Sequence, residues 1–140
     1  MAARFVVDNS VVMAWCFADE SSRYAERVLA SLEQVEAVVP SQWPLEAANV
    51  LLVAERRKRL TRADAAKLMT LLTRLPLVVE QESPARILTE VYALAREFQL
   101  SAHDAAYLDL ALRGGWPLAT QDKSLLKAAK RAGVPIFAVK

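Results

Sequence analysis

The feature that most constrains this chain is a set of five short runs whose apolar character is continuous rather than alternating. They are Phe5-Val6-Val7, Ala37-Val38-Val39, Leu77-Val78-Val79, Pro117-Leu118-Ala119 and Ile136-Phe137-Ala138-Val139. Alternation would mark strands with one wet face, whereas short continuous runs are expected of strands buried on both faces of a parallel sheet. Parallel neighbours need long crossovers, usually helical, and the spacers between the runs have helical patterns.

Thr61 and Asp64 form a capping-box pattern ahead of a stripe of Ala65, Leu68, Leu72 and Leu75. Pro84 fits the first turn of a helix whose inner face is Ile87, Leu88, Val91, Leu94, Ala95 and Phe98. Ser101 caps a helix through Leu112 that Gly114-Gly115 ends, and Asp122 caps another through Ala132, stopped by Gly133 and Pro135. Earlier helices are expected over Ser21 to Glu33 and Pro44 to Arg59. This order predicts an α/β fold, an α/β/α sandwich with a central, mainly parallel five-stranded sheet. With 140 residues and no repeat, linker or low-complexity tract, one domain over 1–140 is expected.

An apolar share of 54% with 24% charged residues excludes a disordered chain. It also suits a protein that covers some surface with a partner. No apolar run approaches the ~18 residues of a membrane span, and residues 1–7 lack the long apolar segment of a signal peptide. A soluble, cytoplasmic protein is therefore expected. The single Cys16 excludes an internal disulfide or a cysteine-based zinc cluster, and the single His103 excludes a multi-histidine metal site. A net charge of +2 does not announce a nucleic-acid binder, so the distribution of charge matters more than its sum.

Four acids fall where such a fold binds ligands, outside the carboxyl ends of its strands. Asp8 follows the first run, Asp122 follows the fourth, Glu46 opens the helix after the second, and Asp104 lies in the first turn of the helix begun by Ser101. Each also has an ordinary explanation. Asp104 suits a capping box, Asp122 an N-cap, Glu46 a helix-dipole partner and Asp8 a turn. Jointly they say more, because converging carboxylates raise one another's pKa and a divalent cation offsets that repulsion. Oxygen-only donors suit Mg²⁺ or Mn²⁺, and such ions serve phosphodiester hydrolysis by metal-activated water. Asp8, Glu46, Asp104 and Asp122 are thus the expected catalytic and metal-binding residues. Ser10, Asn49 and Thr120 are placed as polar groups supporting them. Asp109 is turned about 140° from Asp104 on an ideal helix and is left outside the site. His103 adjoins Asp104 and is read first as structural.

These segments resemble a known family. Phe5-Val6-Val7-Asp8-Asn9-Ser10-Val11-Val12 looks like the opening strand and first acid of PIN domains. Pro44-Leu45-Glu46-Ala47-Ala48-Asn49-Val50-Leu51 resembles the second acid with its companion Asn. Leu100-Ser101-Ala102-His103-Asp104-Ala105-Ala106-Tyr107-Leu108 resembles the third acid, and Pro117-Leu118-Ala119-Thr120-Gln121-Asp122-Lys123-Ser124-Leu125 the Thr-x-Asp segment of the fourth. The likeness spans the chain in order, and its size is most similar to the VapC-type toxins of bacterial toxin–antitoxin pairs. It implies a Mg²⁺- or Mn²⁺-dependent endoribonuclease, a cognate antitoxin and a homodimer. His103 and Asp109 depart from the usual pattern and leave substrate choice open.

Other small Mg²⁺-binding or catalytic α/β domains fit less well. A receiver domain would carry a phosphoacceptor Asp after the third strand, where this chain has Glu80-Gln81-Glu82. A dehalogenase-type phosphatase would carry a second Asp at Ser10. A non-catalytic PIN-like binding module keeps the fold but gives the four acids no task. Lys123 and Lys127 begin near the acids and are expected to contact RNA. Arg56 to Arg59 read as a solvated, dipole-complementing run. Among Trp15, Cys16, Phe17 and Trp43, one or two are expected to line a groove for an antitoxin segment.

Overall fold

A computed structural model describes residues 3–139. Its four strands are β1 (Arg4–Val7), β2 (Glu36–Pro40), β3 (Leu77–Glu80) and β4 (Leu118–Ala119), all parallel in the order β3-β2-β1-β4. The helices are α1 (Asn9–Cys16), α2 (Arg23–Ser31), α3 (Trp43–Arg56), α4 (Arg62–Arg74), α5 (Pro84–Arg86), α6 (Tyr92–Phe98), α7 (Ala102–Gly114) and α8 (Lys123–Ala132).

The expected three layers follow from the two-residue period of the strands. Phe5, Val7, Ala37 and Val39 face α1 to α4, while Val6 and Val38 face α7 and α8. All of them are fully buried, as continuous apolar runs require. β3 departs from this pattern. As an edge strand it is only half covered, and Val79 is 37% exposed.

The fifth run forms no strand among the described residues. It contributes an isolated parallel bridge between Leu118 and Ile136, with Leu118 N–H donating to Pro135 O and Phe137 N–H to Leu118 O. A ladder needs length on both sides, and β4 offers only two residues. Pro135 also has no N–H to give. The run is nevertheless docked, with the Phe137 ring stacked on Phe5 at 3.9 Å.

Helix ends follow the expected chemistry closely. Thr61 and Asp64 close both halves of a capping box, Ser101 accepts from Asp104 N–H, and Gly115 and Gly133 end α7 and α8 in the left-handed region. Two departures have physical causes. A π turn at Ile87–Val91, with Tyr92 N–H reaching Ile87 O, joins α5 to α6. The extra residue in that turn rotates the positions before it relative to those after it. Val91 therefore stays buried, whereas Leu88, expected inside, is 74% exposed. α3 stops at Arg56, before the expected Arg59, because Lys58 turns to a φ of 60°. Arg59 then reaches Asp19 and Glu20 and lies over the Phe17 ring.

The large aromatic residues near these ends mostly serve the fold. Trp15 Nε1 donates to Ala25 O, Trp43 Nε1 donates to Asn9 Oδ1, and Phe17 and Trp43 are buried. Of the four residues set aside for a groove, Trp43 borders an open apolar cleft of about 380 Å³ against α4 and β3.

Asp109 is buried between two arginines. Arg86 grips it with Nε and Nη2 at 3.1 and 2.8 Å, Arg113 Nε donates to it at 3.0 Å, and Glu82 completes the group by pairing with Arg113. Two acids and two bases thus fasten the β3–α5 segment to α7. Both arginines remain about one-third exposed, which places the value of the clamp between surface and buried pairs. Asp109→Ala is expected to lower unfolding free energy by about 2 kcal/mol, measured by urea denaturation. A change under about 0.5 kcal/mol would mean that the clamp contributes nothing net.

Candidate active site

Asp8 sits where β1 ends, only 4% exposed, and caps α1. Its Oδ1 accepts from Ser10 N–H at 3.1 Å, Ser10 Oγ at 2.6 Å and Val11 N–H at 3.3 Å, while Oδ2 accepts from Thr120 Oγ1 at 2.6 Å. Each hydroxyl also accepts a backbone N–H from the loop after β4: Ser10 Oγ from Gln121 and Thr120 Oγ1 from Asp122, both at 3.0 Å. A hydroxyl has one proton to give, and both protons are directed to Asp8. Ser10 and Thr120 therefore hold Asp8 in place and fasten β1 to the segment carrying Asp122.

Burial drives the Asp8 carboxyl up to about 6, against the pull of these hydrogen bonds, and the charge of Asp104 adds to the rise. Burial also raises Asp104, helped by the charge of Asp122, and raises Glu46, with Asp104 again contributing, while the neighbouring His103 pulls both back in part. Asp104 is thus the electrostatic hub to which the other three acids are coupled.

Glu46 is held by a residue that sequence inspection missed. Tyr107, one turn after Asp104 on α7 and 1% exposed, donates its hydroxyl to Glu46 Oε1 at 2.5 Å. Burial and Glu46 push the Tyr107 phenol far above its ordinary range, so the proton stays on the tyrosine. The signal was a polar-tipped aromatic on a helix stripe that is otherwise core, where a buried hydroxyl needs an acceptor. Asn49 lies in the same cleft as Glu46 but bonds to none of the four acids among the described residues.

The ordinary explanations are partly realised. Asp122 is an N-cap, with Oδ1 accepting from Leu125 N–H at 2.9 Å, which commits one oxygen. Asp104 is different. In the Thr61–Asp64 box the acid accepts from the cap's backbone N–H, but no such return bond runs from Ser101 N–H to Asp104 among the described residues.

Three acids converge nowhere among the described residues closely enough to form a ready-made metal cage. The donor chemistry still fits a hard cation. Asp8, Glu46, Asp104 and Asp122 form no salt bridge among the described residues, which is also true of the surface acids Glu26, Glu33, Glu55, Asp64, Glu90 and Glu97; what sets the four apart is that Asp104 couples them to one another. Four coupled carboxylates without a salt bridge suit a hydrated Mg²⁺ or Mn²⁺, which needs one or two direct carboxylates and keeps several waters. Lys123, the first residue of α8 after the Asp122 cap, and Lys127, one turn further on, are both exposed.

The raised Asp8 carboxyl has a consequence for stability. In metal-free protein the folded state keeps a proton that the unfolded chain, titrating near 3.8, has already lost. Stability from this group is therefore full below pH 4 and falls as pH rises to about 6. At roughly 1.4 kcal/mol per tenfold change in the proton equilibrium, the loss is about 3 kcal/mol. Asp8→Asn, which retains an acceptor and cannot ionise, is expected to be more stable than the parent at pH 7 in EDTA but not at pH 4. Denaturant titrations at the two pH values measure this, and equal differences at both would contradict it. Tyr107→Phe is expected to fold with a loss of about 1 kcal/mol and to weaken Mn²⁺ binding by roughly 10-fold, read by calorimetry.

Comparison with known proteins agrees with this geometry. Residues 5–131 match the PIN domain family. The chain is 30% identical over 122 residues to ribonuclease VapC3 of Pyrobaculum aerophilum, covering 87% of this chain and 92% of that protein. The crystal structure of PAE2754 from the same organism superimposes with a TM-score of 0.68 at 28% identity, over 91% of this chain and 86% of that one. FitAcB from Neisseria gonorrhoeae shares the fold, with a TM-score of 0.63 at 17% identity over 96% of each chain. With a family match over nearly its whole length and a parallel sheet that brings its first and last acids together through Ser10 and Thr120, this chain belongs to the PIN-domain family.

Proposed function

We propose that this protein is a Mg²⁺- or Mn²⁺-dependent endoribonuclease and the toxin of a toxin–antitoxin pair. The observation that carries the proposal is the set of four acids coupled through Asp104, none of them in a salt bridge among the described residues. The likeness to a ribonuclease over most of the chain supports RNA as the substrate.

Asp8, Glu46, Asp104 and Asp122 would hold the ion. When bound, it supplies neutralisation of the phosphate and a more acidic water. The chain does the positioning. Ser10 and Thr120 fix both oxygens of Asp8, Tyr107 fixes one oxygen of Glu46, and Leu125 N–H fixes one oxygen of Asp122. Lys123 and Lys127 would draw phosphates to this end of the sheet. A cognate antitoxin would use the apolar cleft beside Trp43. A second copy would cover the flank where Leu88 and Tyr92 are 74% and 61% exposed. No helix among the described residues is long and apolar enough to cross a membrane.

Purified, antitoxin-free protein is expected to cut single-stranded RNA in Mg²⁺ or Mn²⁺ and not in EDTA. Asp8→Asn and Asp104→Asn should lower the rate by more than about 100-fold, and Thr120→Val by roughly 10- to 100-fold. Gel assays with matching DNA measure this, and cutting that persists in EDTA or in both Asp variants would refute the assignment.

A further inference from the structure

A cleft of about 560 Å³ opens beside Glu46, between the start of α3 and the start of α7. Its size falls in the range of small-molecule sites, roughly 300–1,000 Å³. Its lining is unusual for a site next to a phosphate-handling centre. No Lys or Arg lines it among the described residues, and its polar groups are Asn9, Gln42, Asn49 and His103 beside Glu46. A phosphate would meet the Glu46 carboxylate there, with His103 the only side chain of the lining able to carry a positive charge among the described residues. Neutral amides instead match the edges of a base.

Two of these amides are already oriented. Trp43 Nε1 can only donate, so the Asn9 oxygen that receives it at 3.1 Å is fixed, and the Asn9 N–H₂ is left over. Gln42 Nε2 donates to His103 O at 3.1 Å, which leaves the Gln42 carbonyl oxygen over. The cleft thus holds one pre-set donor and one pre-set acceptor, together with the Asn49 amide, which has no partner among the described residues. Leu45, 74% exposed at the rim, and the exposed His103 offer apolar and flat surfaces for a ring face. Unstacked bases are read through this combination of edge hydrogen bonds and face contacts.

We propose that this cleft is a nucleobase pocket that seats the base next to the cleaved phosphate, with Asn9 donating to its edge and Gln42 and Asn49 completing the readout. The proposal rests on the ribonuclease reading, since Glu46 is common to the acidic site and to the cleft wall. It makes Gln42, Asn49 and Asn9 the residues that set base preference, separate from the acids that act on the backbone.

The test measures binding in EDTA, so that cleavage does not enter. Labelled RNA tetramers differing in a single base are titrated by fluorescence anisotropy into the parent, Gln42→Ala and Asn49→Ala. The parent is expected to separate its best and worst bases by about fivefold or more, the worth of one net hydrogen bond. Each variant should compress that range to within about twofold, with its melting temperature unchanged. An equal spread in the parent and both variants, or no spread in the parent, overturns the pocket. If the parent cuts RNA but its base preference survives both substitutions, the pocket falls and the nuclease stands. If preference disappears in the variants but no RNA is cut in any metal, the pocket stands and the nuclease falls.

Discussion

The carboxylate of Asp8 is the tie on which the site depends. Four donors converge on it, from the α1 backbone, Ser10 and Thr120, and the two hydroxyls in turn receive N–H groups from the loop after β4. Residues more than a hundred positions apart are thereby fixed around one buried anion. Desolvation makes that anion costly, and among the described residues no basic side chain forms a salt bridge with it. Such an arrangement suits a protein whose missing counter-charge comes from solution.

Helix α7 organises the other half of the site. Residues 105 to 111 are all buried, so the helix runs through the core with little freedom to rotate. It carries three polar groups into different surroundings. Asp104, at its exposed start, faces the acids, Tyr107 reaches across to Glu46 on α3, and Asp109 is neutralised by Arg86 and Arg113. The five-residue separation of Asp104 and Asp109 thus divides one free acid from one structural acid on the same helix.

Much of this was legible in the sequence because it depends on local chemistry. Continuous apolar runs located the buried strands, and cap residues located the starts of α4, α7 and α8. What escaped depends on tertiary context. Nothing in Ile136 to Val139 reveals that β4 is too short to extend a ladder, and nothing in the Ile87-Leu88 pair reveals a π turn. The acids could be chosen by their positions after strands and at helix starts. The bond from Tyr107 to Glu46 joins residues sixty-one apart and becomes visible only when α3 and α7 are packed. Asn49, chosen by its spacing from Glu46, faces the cleft and bonds to none of the acids.

The placement of the salt bridges says more about this chain than its net charge. The total of +2 is uninformative, but four arginines have defined structural tasks. Arg4, Arg59, Arg86 and Arg113 each hold carboxylates that fasten elements together. An arginine within reach of Asp104 would satisfy the same electrostatic need permanently and compete with a divalent ion for the same oxygens. Lysines serve differently at this edge. Lys123 and Lys127 are exposed and bonded to no acid among the described residues. Arginines fasten the scaffold at Asp109, Glu36 and Asp19, while the four coupled acids are left without a salt bridge among the described residues, and that division follows from which side chains are within bonding distance of which.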